Sequence, residues 1–366
     1  MSAGVPGPAA GGAVGTGRAP RRIYVTDCEG PLTRNDNAQE IAEHFLPDGA
    51  EFFARLSKYD DFLTDVVRKP GYNAGDTLRL LPPFLKAFEV GDAAVEAFSA
   101  EGVLLVPGAL RMLAELAALL PTFIISTSYT PYLKALCELS GFPLANVRCT
   151  ELSLDAWLMP EDEKAWLRDE AARVMQRSLI EIPDGASSAD DLAPADAVTV
   201  ARLGDLFWAQ MGGRVSGALV AAVHPVGGGM KLAALEEIVA AEDVDGAGVM
   251  YVGDSITDAP PLAAVKAWGG VSLSFNGNGY ALAAAEFAVA SLDAGVAAEL
   301  AKAFAGGGRG GVEAAVRAWP RPHEGEMPTG REGARVGLVA EEPDALAEAS
   351  AAARRSVRGE RVARLG

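Results

Sequence analysis

Asp254 and Asp258 lie four residues apart in Gly253-Asp254-Ser255-Ile256-Thr257-Asp258, directly after the apolar run Val249–Val252. A helical turn would bring both carboxylates to one side. A third acid, Asp27, opens the segment Asp27-Cys28-Glu29-Gly30-Pro31-Leu32-Thr33, directly after Ile23–Val25. If the three share a small volume, each pair at about 4 Å repels by roughly 4 kcal/mol at an effective dielectric of about 20. Either some are protonated or a divalent cation holds them together. All-oxygen ligation points to magnesium.

Two further polar clusters follow short apolar runs. Ser126-Thr127-Ser128-Tyr129 comes directly after Phe123–Ile125, and Lys231 opens a helical segment behind Gly227-Gly228-Gly229. Thr127 and Ser128 would sit at the mouth of a helix over 130–140, where free backbone N–H groups favour a phosphate. Taken singly these signals are weak. Asp27 and Asp254 could be helix N-caps, Ser126 a turn residue, and Lys231 a solvated helix residue. Gly227–Gly229 lacks the Walker spacing, and His44, His224 and His323 are scattered.

The elements that must position these clusters are short apolar strands alternating with helices. Strands are expected at 23–25, 123–125, 147–154, 249–252, 271–275 and 287–290, with helices after 108, over 130–140 and over 231–240. That alternation predicts the α/β class, a Rossmann-like parallel sheet with helices on both faces. In such sheets the working residues sit just past the carboxyl ends of strands. Residues 38–102 and 155–225 carry helical periodicity and no strand signal, so they read as two helical insertions. The predicted organisation is a tail at 1–21, a core at 22–37, 103–154 and 226–300, a helical cap at 38–102, a second insertion at 155–225, and a partly disordered extension at 301–366. Nine of the first twenty residues are Gly or Pro, too little apolar surface to offset ordering entropy.

The chain has 366 residues and a formal charge of −17. A field of that sign repels nucleic-acid backbones and anionic lipid surfaces, but a bound cation or a buried lysine can reverse it inside one cleft. No nucleic-acid or membrane partner is therefore expected. Three cysteines, none in a C-x-x-C pair, make no disulfide framework. No cationic leader followed by an apolar run is visible, and a cytoplasmic location is the expectation.

Taken in order, the four motifs resemble the haloacid dehalogenase-like (HAD) superfamily. The pattern is an aspartate with an acid two residues on, a Ser/Thr, a Lys, and an acidic Gly-Asp-x-x-x-Asp. It covers roughly residues 22–36, 103–142 and 226–292. The resemblance implies that Asp27 attacks phosphorus to form an aspartyl-phosphate. Glu29 would protonate the leaving oxygen and then activate water. Ser126 and Thr127 would bind the phosphoryl group, and Lys231 would offset charge between it and Asp27. Asp254 and Asp258 would hold magnesium, with the Asp27 carboxylate and the backbone carbonyl of Glu29. Most phosphatases of the superfamily carry Asp where this chain has Glu29. The Asp-x-Glu-Gly form is similar to a minority branch near the phosphoserine-phosphatase-like members. With Asn35-Asp36-Asn37 it also resembles an uncharacterised group labelled in methanogens as a hydrogenase-associated subunit.

The expected function is magnesium-dependent hydrolysis of a small phosphorylated metabolite. Transfer to another acceptor and a non-catalytic phosphate-sensing or scaffold role are the alternatives. Arg68, Lys69 and Tyr72 form a candidate substrate-reading loop in the cap. The second insertion could complete the cleft, form a homodimer contact, or both. Cys28 and Arg34 match the Cys-x5-Arg spacing of cysteine phosphatases. Glu29 would repel a phosphate there, Pro31 removes a donor, and Asp254 and Asp258 would go unexplained.

Overall fold

The computed structural model describes residues 21–321 and 333–363, with side chains described to Gly359. All but one of the residues expected to form the N-terminal tail lie outside that range. Seven strands form one sheet: β1 (Ile23–Thr26), β2 (Thr122–Tyr129), β3 (Val147–Thr150), β4 (Val249–Gly253), β5 (Val271–Phe275), β6 (Phe287–Ala290) and β7 (Arg335–Leu338). Their order is β3-β2-β1-β4-β5-β6-β7, parallel throughout except β7, which runs antiparallel to β6. The fold is therefore α/β.

Strands covered on both faces must be apolar on both, which is why they read as short continuous runs. Alternation along β1 sends Tyr24 to one face and Ile23 and Val25 to the other. On the first face Tyr24 joins Met112, Leu113, Leu133 and Phe304 from three helices. On the second, Ile23 and Val25 meet Leu235 and Ile238 of the helix Gly229–Ala241 and Leu262 of Ala259–Ala267. β1 lies between β2 and β4. The chain turns one way from β1 and the other way from β4, so a crevice opens at their carboxyl ends.

The two helical insertions pack as one body. Phe52 and Phe84 from the first share a core with Leu203 and Phe207 from the second, and the Phe84 and Phe207 ring centroids are 6.1 Å apart. Trp208 Nε1 donates to Tyr59 Oη at 2.9 Å. Tyr129, at the end of β2, is buried in this helical core and donates to the Leu78 carbonyl at 2.5 Å. The strand that carries Ser126 thus ends inside the cap.

The chain over 301–366, expected to be a partly disordered extension, forms regular elements over its described residues. The helix Gly295–Arg317 runs through the glycines with a kink at Gly308, and β7 adds an edge to the sheet. The helix Pro343–Ala363 then returns towards the carboxyl ends of the parallel strands, packing Leu346 against Leu282 and Ala288. Among the described residues no helix is long and apolar enough to cross a membrane.

Candidate active site

Each cluster read from the sequence arrives from the end of its element. Asp27 follows β1, and its backbone N–H donates to Val252 O of β4 at 2.8 Å, so its side chain emerges over the crevice. Ser126 and Thr127 lie within β2, which extends beyond the expected 123–125. Lys231 stands in the first turn of Gly229–Ala241. Asp254 follows β4, and a single 3-10 turn over Ile256–Asp258 brings Asp258 back beneath it.

The structure brings the four acid-base partners together. Lys231 Nζ lies 2.8 Å from Asp27 Oδ2 and 2.7 Å from Asp258 Oδ1, and Lys231 is wholly buried. Asp258 Oδ1 also accepts from Tyr251 Oη at 2.8 Å. Its Oδ2 accepts from the backbone N–H groups of Asp254 and Ser255 at 3.1 and 3.2 Å, and from the Ser255 hydroxyl at 3.3 Å. Oxygen atoms of Asp27, Asp254 and Asp258 all fall within 4.8 Å of one another.

Burial and charge divide the roles of these acids. Burial works to raise the Asp258 pKa, but the adjacent Lys231 ammonium and the other donors hold it below the usual carboxylate range. Burial, then the negative charge of Asp258, push Asp27 well above its ordinary value despite Lys231. Burial disfavours the charge on Lys231, yet Asp258 and Asp27 keep its pKa above that of a free lysine. Arg354 and Arg358, both on Asp254 Oδ2, meet the negative charge of Asp254 in this structure, and the all-oxygen donor set is the chemistry a hard divalent cation takes.

Glu29 lines the same crevice. Its Oε1 accepts from the Asn37 backbone N–H at 2.7 Å, so it sits on the N-terminus of the helix Asn37–Phe45, which Asp36 also caps. Burial, with the nearby Asp36 charge, pushes the Glu29 pKa up to about 8. Gly30 follows in a left-handed conformation (φ +102°), and a Cβ there would overlap the Asp254 carboxyl group. Only glycine lets the β1 loop approach Asp254 so closely.

Ser126 is buried at the crevice floor, where its Oγ accepts from the Ser128 N–H at 3.2 Å. The Thr127 hydroxyl donates to the Val226 carbonyl at 3.1 Å. That bond commits its hydroxyl to the scaffold, and Thr127 still lines the crevice. Cys28 is buried in the first-face core, its thiol pKa raised by burial and then by Glu29 and Asp27. It does not line the crevice.

Arg68, Lys69 and Tyr72 are not brought to this crevice. Lys69 lies over the Trp208 ring at 4.6 Å and Tyr72 meets Trp208 edge-on at 6.1 Å, so the loop is drawn to the second insertion. The cap instead faces the crevice with Phe53, Ser57, Asp60, Asp61, Thr77 and Leu78. Asp60 is buried, accepts from the Gly75 N–H at 3.0 Å, and has its pKa pushed up to about 8 by burial. Sequence reasoning also missed Arg354 and Arg358, which enter from the C-terminal helix. Their only sequence signal is an i,i+4 basic pair in an Ala-rich segment, which fixes a shared helix face and no destination.

No family model and no curated protein matches the chain. Among solved structures, a substrate-bound phosphoserine phosphatase is 14% identical over 78% of this chain and 99% of its own, with a TM-score of 0.47. That likeness is too distant to argue from. The gene product AF1437 of Archaeoglobus fulgidus is 27% identical, covers 94% of this chain and 99% of its own, and gives a TM-score of 0.80. The chain shares with that archaeal protein an architecture that includes both the sheet and the helical insertions.

Proposed function

We propose that this protein is a magnesium-dependent phosphomonoesterase acting through an aspartyl-phosphate on a small phosphorylated metabolite. The observation that carries the reading is the buried Asp27–Lys231–Asp258 chain beside Asp254, at the carboxyl ends of β1 and β4. The chain is buried at Lys231 and Asp258 and reaches the crevice through Asp27, beside Asp254.

Asp27 and Asp254 would hold the cation, with the backbone carbonyl of Glu29. Each Asp258 oxygen already accepts two or more protein hydrogen bonds, which uses its lone pairs, whereas each Asp27 oxygen accepts one. Asp258 therefore acts on the ion through its charge and by fixing Lys231 and the Asp254 backbone. When bound, the cation supplies charge stabilisation for the phosphoryl oxygens and favours ionised Asp27.

The residues then divide the reaction. An Asp27 oxygen attacks phosphorus, and the ester oxygen leaves with the proton held by Glu29. Lys231, the Ser126 hydroxyl and the Thr127 main chain hold the phosphoryl oxygens. Water then attacks phosphorus and gives its proton to Glu29, returning Asp27 as a carboxylate and releasing inorganic phosphate. Phe53, Asp60, Thr77 and Leu78 line the crevice from the first helical insertion. A wall on that side narrows the room beside the phosphoryl site, which favours a small substrate over a phosphoprotein. The test is p-nitrophenyl phosphate hydrolysis with magnesium and with a chelator. Turnover that requires magnesium is expected, and absence of turnover across a panel of phosphoesters contradicts the reading.

A further inference from the structure

The two arginines of the C-terminal helix stand one turn apart and therefore on one face. Arg354 Nη1 donates to Asp254 Oδ2 and, at 3.2 Å, to the Asp254 backbone carbonyl. Arg358 Nη1 donates to the same Oδ2 at 3.1 Å, and its Nη2 donates to the Asn35 carbonyl at 2.7 Å. Arg354 is 4% exposed, and the Nε of each arginine is buried without an acceptor among the described residues. The helix thus delivers two guanidiniums whose own hydrogen bonding is incomplete, which points to charge as the reason for their placement.

A carboxylate oxygen offers two lone pairs, and both of those on Asp254 Oδ2 are engaged. Asp254 is the carboxylate assigned above to the divalent cation, and the following rests on that assignment. An ion binding through Oδ2 must take a position that a guanidinium uses, and an ion binding through either oxygen must sit beside two fixed positive charges. Conversely, Asp254 buried without any cation would be an uncompensated charge. We propose that Arg354 and Arg358 are tethered counter-cations that compete with the divalent cation for Asp254, so that the C-terminal helix sets how much metal the site requires.

The test is calorimetric titration of magnesium chloride into the chelator-stripped full-length protein and into Arg354→Gln, Arg358→Gln and the double variant. Each variant should bind magnesium more tightly, by on the order of tenfold for the double variant, since a competing charge is removed. The metal-free variants should also melt lower than the unaltered protein, with magnesium restoring more of the melting temperature. Arg358→Gln, at the helix end, carries the test if Arg354→Gln does not fold. Unchanged or weaker magnesium binding by folded variants overturns the proposal while leaving the phosphatase reading intact. If neither the unaltered protein nor the double variant takes up magnesium, this proposal falls together with the metal requirement. Hydrolysis of p-nitrophenyl phosphate then decides separately whether the enzyme reading survives.

Discussion

The Lys231 ammonium lies 2.8 Å from the Asp27 carboxylate although no part of its side chain reaches solvent. It is shared with Asp258 at 2.7 Å, so one buried cation serves two buried anions. Breaking such an arrangement by removing one partner costs about 3–5 kcal/mol, because the remaining charges stay buried.

Lys231→Met should therefore lose activity by about 100-fold or more and lower the denaturant midpoint, with magnesium recovering part of the stability. Steady-state kinetics and urea unfolding with and without magnesium check this. A loss below tenfold would remove Lys231 from the reaction.

Tyr251 was not read from the sequence, because it lies within the apolar run that marks β4. Its hydroxyl donates to Asp258 Oδ1 at 2.8 Å. Tyr251→Phe should cost about 1–3 kcal/mol of stability and reduce activity less than Lys231→Met, since the ammonium still holds Asp258. Thermal melting together with turnover would show it, and an effect on activity equal to that of Lys231→Met would contradict this ranking.

Cys28 is packed among Leu32, Val106 and Tyr132, with its thiol pKa raised. Cys28→Ala should keep most of the turnover, and alkylating agents should not inactivate the folded protein. Loss of turnover in a folded Cys28→Ala protein would return the nucleophile to sulfur.

The polar clusters were legible because each follows a short strand buried on both faces, and such strands stand out as apolar runs ending abruptly. β2 was read too short, since Ser126, Thr127 and Ser128 continue it with polar residues that face the crevice and the cap. The C-terminal third was harder. The Gly-rich stretch at 306–311 carries no helical signal of its own, but neighbouring apolar positions Phe304, Val312 and Val316 keep the helix on the sheet. β7 is a four-residue antiparallel edge with a half-exposed Arg335, too short to leave a periodic signal. The loop around Arg68, Lys69 and Tyr72 had suitable chemistry for reading a substrate. Which partner it faces depends on Trp208 in a distant segment, and that is a tertiary fact.

Asp60, in the same sense as Glu29, supplies part of the pH dependence of stability. Its folded pKa is about 8 against an ordinary 3.8, raised first by burial. The folded state therefore holds the proton more tightly than the unfolded chain. The resulting stability is fully present below about pH 4 and is lost progressively as pH rises to about 8. Asp60→Asn should flatten this fall, with the variant more stable than the unaltered protein above pH 8 and little changed at pH 4. Urea midpoints measured across that range check the sign; parallel curves for the two proteins would contradict it.

On the proposed route Asp27 takes the phosphoryl group. Rapid acid quench after mixing with p-nitrophenyl phosphate and magnesium, followed by peptide mass spectrometry, reads it directly. One phosphoryl group on the peptide carrying Asp27, absent in Asp27→Asn together with turnover, is the predicted result. Turnover that persists in Asp27→Asn, or a phosphoryl group found on Cys28 instead, would contradict it.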